Sequence, residues 1–151
     1  MKTHRTTNVS RPYLEETVAL RVRFHEVDVM NIVWHGHYAG YFEEARRALG
    51  WRYGVDYPVF LRNNVVAPVV SLGVEFLLPA RLDDTLAVTA RFLKPENAKL
   101  EFDYVVRRGS EVLARGVTVQ VFTTPDGELL LRPPPFMLEL YRQWEPLWTR
   151  S

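Results

Sequence analysis

Asp28 and the residues just after it carry the chemistry-bearing pattern of this chain, in the run RVRFHEVDVMNIVWHGHYAGYFEEARR from Arg21 to Arg47. A strand-like segment ends at Asp28, a short apolar loop follows, and a helix begins near His35 to Tyr38. A carboxylate is thereby set beside a helix N-terminus, where unpaired N–H groups and the helix dipole favour developing negative charge. A carboxylate facing an oxyanion-stabilising helix start suits acyl transfer. Taken alone, such an Asp also reads as a turn or capping residue.

Other ligand-type residues lie nearby: His25, Glu26, His35 and His37. A continued strand would send His25 and Asp28 to opposite faces. His35 and His37 lack the i, i+4 spacing of a chelating helix pair. No metal site is expected.

The elements that must position these residues are legible by period. Thr17 to Val27 alternates, with Val18, Leu20, Val22 and Phe24 on one face, and reads as a half-buried strand. Tyr38, Tyr41, Phe42, Ala45, Ala48 and Leu49 recur at helical spacing, and Gly50 is the natural stop. Trp51 to Asn64 reads as irregular. Val65 to Leu78 reads as a long strand whose start, at Pro68, is an edge or a bulge. Strands are predicted over Leu86–Leu93, Lys99–Arg107 and Glu111–Thr123, separated by hairpin turns at Lys94–Asn97 and Arg108–Ser110. Phe136 to Trp148 reads as an amphipathic helix with Met137, Leu140, Tyr141, Trp144 and Trp148 on one side. Strand, helix, four strands and helix make an α+β domain on an antiparallel sheet.

Composition bounds the function. The chain has 151 residues, enough for one domain with a real core, and 47% of them are hydrophobic. A net charge of +1 implies neither a nucleic-acid nor an anionic-membrane partner. No cysteine is present, which removes disulfides, Cys–zinc sites and a Cys nucleophile and is compatible with a reducing cytoplasm. No segment is long and apolar enough to span a membrane. Residues 1–16 read as a frayed tail without a signal-type apolar run, 17–132 as the domain, and 133–151 as a C-terminal helical extension.

The run resembles the active-site segment of hotdog-fold acyl-CoA thioesterases of the 4-hydroxybenzoyl-CoA thioesterase type. Val22, Arg23, Phe24, Glu26, Asp28, Ile32, Val33, Trp34, His35 and Tyr38 fit that pattern, as do Phe42, Glu43, Ala45 and Arg46. A second stretch, APVVSLGVEF with the Asp83-Asp84-Thr85-Leu86 turn, resembles the family's next strand. The resemblance implies a curved antiparallel sheet wrapped around a long central helix. It implies hydrolysis of an acyl or aroyl thioester without metal or redox cofactor, CoA entering only as part of the substrate. Asp28 would be the nucleophile or general base, and the peptide N–H of His35 would polarise the thioester carbonyl. Asn31 stands where relatives usually carry Gly; Asn is the next residue best able to take a left-handed backbone, and its side-chain amide is also a candidate substrate contact.

Val33, Trp34, Tyr38 and Glu43 would border the acyl group, with Ser71 and Phe76 on the strand that covers the helix. Glu43 also reads as a helix ion-pair partner of Arg46 or Arg47. Lys94 and Lys99 flank the turn where some relatives place a basic cluster for CoA phosphates, and Arg91, Arg107 and Arg108 are alternatives. A homodimer or tetramer is expected, because long strands leave unpaired sheet edges. Two other readings keep the fold: a hydratase or dehydratase driven by His35 or His37, and a non-catalytic acyl-thioester-binding module.

Overall fold

The computed structural model describes residues 11–149. The expected frayed tail lies outside them up to residue 10, but Tyr13 to Glu16, placed in that tail by pattern, already belong to the sheet. Strand β1 spans Tyr13–Arg21. It pairs antiparallel with β3 (Thr85–Leu93), Tyr13 opposite Leu93 and Arg21 opposite Thr85. The strand also ends earlier than alternation suggests. Val22 still exchanges hydrogen bonds with the 83–84 turn, and is buried. Phe24 then opens a short 3-10 turn (Phe24–Glu26) and stands 81% exposed. That turn is fixed by the Glu26 carboxylate, which accepts the Arg23 N–H at 2.7 Å.

Helix α1 spans Tyr38–Tyr53 and follows a 3-10 turn at His35–His37. It runs through Gly50, the expected stop, and ends at Gly54, whose φ of 77° is the left-handed conformation that lets glycine terminate a helix. Trp51–Asn64, expected to be irregular, holds the end of α1 and the short helix α2 (Tyr57–Arg62). Pro58 sits in the first turn of α2, where its missing N–H costs nothing. Strand β2 (Val69–Phe76) is shorter than predicted, and has the expected bulge, between Val69 and Ser71. Strands β4 (Lys99–Arg108) and β5 (Glu111–Val121) complete the sheet. Helix α3 covers Pro135–Trp144, and a 3-10 turn (Glu145–Leu147) replaces the last turn of the helix predicted to Trp148.

The five strands lie in the order β1-β3-β4-β5-β2, all pairs antiparallel. α1 packs mainly on β1 and β3. Its buried stripe is Tyr38, Tyr41, Phe42, Ala45 and Leu49. These meet the inner face of the sheet, where Val88, Ala90, Tyr104 and Val106 are almost fully buried. This is the helix-in-a-curled-sheet architecture that the resemblance implies. α3 closes one end: Trp144 and Trp148 pack on Phe92 with ring centroids 6.2 and 5.9 Å away. Among the described residues, no helix is long and apolar enough to cross a membrane.

One contact fixes how closely α1 approaches the sheet. The Phe42 ring lies over Gly116 of β5 and stacks on Tyr104 at 4.4 Å. A Cβ on Gly116 would stand 2.3 Å from that ring. Phe42 is fully buried and has nowhere to go. Gly116→Ala is therefore expected to destabilise the protein by about 1–3 kcal/mol, the range for overpacking a filled core. Urea denaturation checks this, and an unchanged midpoint would show that the helix can lift without loss.

Candidate active site

The Asp28 segment folds as a small hairpin. Val27 pairs with Val33, the Asp28 N–H donates to the Ile32 carbonyl at 3.0 Å, and the Trp34 N–H donates to the Glu26 carbonyl at 2.9 Å. At its tip the Asn31 N–H donates to the Asp28 carbonyl at 3.0 Å. Asn31 has a φ of 59°, the left-handed conformation expected for it. Asp28 Oδ1 accepts the Met30 N–H at 2.8 Å. The carboxylate thus makes the turn bond expected of an Asp in any tight turn. Oδ2 makes no hydrogen bond to the described residues. The tip itself, Val29 and Met30, is exposed and apolar.

The hairpin leads straight into the helix start. It docks on the 80–84 segment, where the Val33 N–H donates to the Ala80 carbonyl at 2.8 Å and Ile32 bridges Arg81. The first bond of the following turn is from the His37 N–H to the Trp34 carbonyl. The N–H groups of His35 and Gly36 precede it and have no partner within the helix. The Trp34 ring lies over Gly36, where a Cβ would stand 2.0 Å from it, so a side chain there would have to displace the half-exposed Trp34 ring. Trp34 also packs on the rings of His35 and His37, at 4.8 and 5.6 Å.

The other predicted site residues divide. Tyr38 is buried and meets the half-exposed Phe76 edge-on at 5.0 Å, so these two do come together at the helix start. Burial pushes the Tyr38 hydroxyl up from its ordinary value, and burial followed by the Glu26 carboxylate does the same to Tyr41. Both phenols stay neutral at physiological pH and do not serve as bases. Val33 is buried in the core. Glu43 is exposed, forms no ion pair with Arg46 or Arg47 among the described residues, and borders a cavity farther along α1.

Ser71 does not face the helix. It shares the face of Gly73, whose Cβ position meets the Val117 side chain, while Leu72, Val74 and Phe76 point inward. Lys94 and Lys99 do not border this protomer's Asp28. They flank the turn beyond Leu93, whereas the hairpin docks before Thr85, so the nine residues of β3 separate them. At about 3.3 Å per residue that is about 26 Å. Lys94 is paired with Glu145 at 3.0 Å.

The pleat that was to part His25 from Asp28 is absent, because residue 25 lies in the 3-10 turn; its ring packs on His37 at 6.2 Å. Among the described residues no three His, Asp or Glu side chains gather as a metal site.

Two cavities flank α1. One of about 700 Å³ lies beside Arg23, Glu26, His37 and Tyr41. The other, about 570 Å³, lies between the later turns of α1, the inner face of the sheet and α3. Gln120, Met137 and Trp144 line the second. They were not legible as site residues: the packing of α3 brings Met137 and Trp144 to α1, and the pairing of β5 between β4 and β2 places Gln120 there.

The sequence model of the Thioesterase superfamily matches residues 30–115, more than half of the chain. The chain belongs to this superfamily, and it is a hotdog-fold thioester hydrolase. The match begins two residues after Asp28 and ends before α3. A putative esterase of Synechocystis is 26% identical over 125 residues, 81% of this chain and 75% of the relative. The acyl-CoA thioester hydrolase YbgC of Escherichia coli is 24% identical over 102 residues, 68% of this chain and 76% of the relative. A crystal structure of a hypothetical protein from Thermus thermophilus superposes with a TM-score of 0.77 at 31% identity, covering 86% of this chain and 97% of that one.

Proposed function

We propose that the chain hydrolyses acyl-CoA thioesters to the carboxylic acid and free CoA, with Asp28 as the catalytic carboxylate and the His35 N–H as the carbonyl-polarising donor. The carrying observation is the hairpin itself: it presents a carboxylate with one oxygen unbonded among the described residues and runs directly into a helix start with two N–H groups to offer. CoA as the carrier is supported by the likeness to the Escherichia coli acyl-CoA thioester hydrolase. In one route Asp28 attacks the thioester carbon, the thiolate leaves, and water then cleaves the mixed anhydride. In the other Asp28 takes a proton from water, which attacks directly and expels the thiolate. In both, negative charge develops on the carbonyl oxygen, where the helix N–H groups stabilise it. Neither route requires a metal or redox cofactor, and we place the reaction in the cytoplasm.

A hydratase reading requires an acid-oriented histidine, and among the described residues neither His35 nor His37 hydrogen-bonds a carboxylate. The test is thiol release from a panel of acyl- and aroyl-CoAs. A folded protein that releases no thiol from any of them would refute the reading.

The working unit we infer is a homodimer, or a tetramer of two such dimers. Among the described residues β2 is an edge strand paired only with β5. Val70, Leu72 and Phe76 along it are about half exposed, and Met30 at the hairpin tip beside Asp28 is more so. An open edge with apolar flanks is a template for a second copy, and two-fold symmetry is the common solution. Sedimentation across a dilution series, with activity followed in parallel, is expected to show activity falling as the oligomer dissociates. A fully active 17.6 kDa species would exclude a site that depends on two subunits.

A further inference from the structure

The Asp28 hairpin docks on a stretch of chain that lies outside the strands of the sheet. Residues 77–84 run from the end of β2 to the start of β3 and belong to neither. At one end the Leu77 and Leu78 N–H groups donate to the Leu113 carbonyl, and at the other Asp83 and Asp84 exchange bonds with Val22. Asp83 is left-handed, with a φ of 65°, which costs energy in a residue with a side chain. Between these points side chains fix the segment. The Asp84 carboxylate turns back and accepts the Arg81 N–H at 2.8 Å through Oδ2. The same oxygen accepts a bond from Arg108 Nη1 at 2.7 Å, and Nη1 also donates to the Pro79 carbonyl at 3.2 Å. Arg108 is the last residue of β4, so the segment is tied to a strand with neighbours on both sides. Both side chains are about a quarter exposed. Burial works against the ionised Asp84, yet the Arg81 N–H and Arg108 outweigh it and hold its pKa below the ordinary value. The Ala80 carbonyl in turn accepts the Val33 N–H at 2.8 Å. Arg81 pairs with Ile32, whose carbonyl accepts the Asp28 N–H at 3.0 Å. Along this path two residues, Arg81 and Ile32, separate Asp28 from the ion pair.

Resting on the thioesterase reading, the structure assigns Arg108 and Asp84 a positioning role in that reaction: as one latch they hold residues 79–81, and through them set Asp28 against the helix start. Neither residue touches the reacting atoms. A shift of about 1 Å between a catalytic group and its target can cost about a hundredfold in rate, so a loose segment under the hairpin would be felt in turnover. By resemblance Arg108 is also an alternative contact for CoA phosphates, but its guanidinium is engaged here. The two roles differ in kinetics. A lost phosphate contact raises KM at unchanged kcat, whereas a misplaced carboxylate lowers kcat at unchanged KM.

The test is steady-state hydrolysis of an acyl-CoA by the full chain, assayed well below the melting temperature of each variant. Arg108→Met keeps the stem and removes the donors. Its kcat is expected to fall about tenfold to a hundredfold, with KM within about twofold of wild type. Arg108→Lys keeps a point charge that can reach Asp84 but not the fork, and should recover part of the loss. Asp84→Asn still offers an oxygen to the Arg81 N–H but no charge to Arg108, and should lose kcat likewise. The double variant should lose no more than the worse single one, since the two residues form one latch. Glu111→Gln removes the other side-chain partner of Arg108 and should leave kcat unchanged. Hydrogen exchange read by mass spectrometry needs no substrate. Residues 27–33 should exchange about tenfold faster in Arg108→Met and Asp84→Asn, with β3 and β4 protected as in wild type. The near-isosteric Asp84→Asn keeps the test decisive if Arg108→Met does not fold.

A raised KM at unchanged kcat would overturn the latch and make Arg108 a substrate contact. Losses that multiply in the double variant, or a Glu111→Gln loss as large as that of Asp84→Asn, would overturn it too. Faster hairpin exchange in the variants of a protein that releases no thiol would sink the thioesterase reading and leave the latch standing. Hydrolysis with unchanged kcat and unmoved hairpin exchange in the variants would sink the latch alone.

Discussion

Asp28→Asn is expected to fold as the wild type does and to lose most of its turnover. The fold argument is local. The wild-type side chain accepts the Met30 N–H through Oδ1, and an asparagine amide oxygen can accept the same bond. The left-handed residue of the turn is Asn31, which the substitution leaves untouched. What disappears is the negative charge, and both routes need it, one to attack carbon and the other to take a proton from water. The measurement is kcat on the best acyl-CoA substrate, with a thermal melt as a control for folding. A drop of more than tenfold, about 1.4 kcal/mol of transition-state stabilisation, is expected. A melted or aggregated variant would say nothing about chemistry, so the melt is part of the result. A folded variant retaining more than about a tenth of wild-type kcat would remove Asp28 from the mechanism.

What could be read from the residues alone, and what could not, follows from the range of each signal. Local backbone signals carried well. Asn31 is readable as a left-handed position, and Pro68 as the mark of an edge or a bulge. The helical stripe of α1 is the stripe that is buried. The failures came where a pattern continues past the interaction that causes it. Phe24 prolongs the alternation of β1, yet the chain has already left the sheet at Val22, and no partner strand remains beside it. Gly50 looks like a helix stop, but only a left-handed backbone ends a helix there, and that conformation falls at Gly54. Tyr13 to Glu16 were hidden because their partners, Leu93 to Ala90, are far away in sequence.

The site was legible where the motif is contiguous and obscure where the fold assembles it. Ser71 and Phe76 are an odd number of residues apart, so one regular strand does not send both inward; here alternation outweighs the expectation of a shared pocket. Lys94 and Lys99 are candidate CoA contacts by resemblance alone; antiparallel pairing puts their turn at the end of β3 away from Asp28 of the same protomer, a separation that no local pattern announces. Trp144 read only as part of an apolar stripe needing cover. Its cover proves to be Phe92 and Tyr53, and with Met137 it walls a cavity that no local pattern announces.

His35→Pro is expected to cost more than His35→Ala, and the contrast separates a main-chain role from a ring-based one. Proline is an unusually clean probe at this position. Residue 35 opens the 3-10 turn, where the N–H has no partner within the helix, so losing it breaks no structural bond. The preceding residue, Trp34, has φ −60° and ψ 135°, within the extended region that a residue before proline prefers. The substitution thus removes one donor and leaves the backbone path open. If that donor holds the developing oxyanion, kcat should fall by about a hundredfold to a thousandfold. His35→Ala keeps the N–H and removes the ring, which packs on Trp34. It should reduce kcat by less than Asp28→Asn does. The measurement is kcat for both variants on one substrate, with circular dichroism to verify the fold. Complete inactivation by Ala in a folded protein would assign the chemistry to the imidazole. A fully active proline variant would show that the carbonyl is polarised elsewhere, with the Gly36 N–H as the next donor to test.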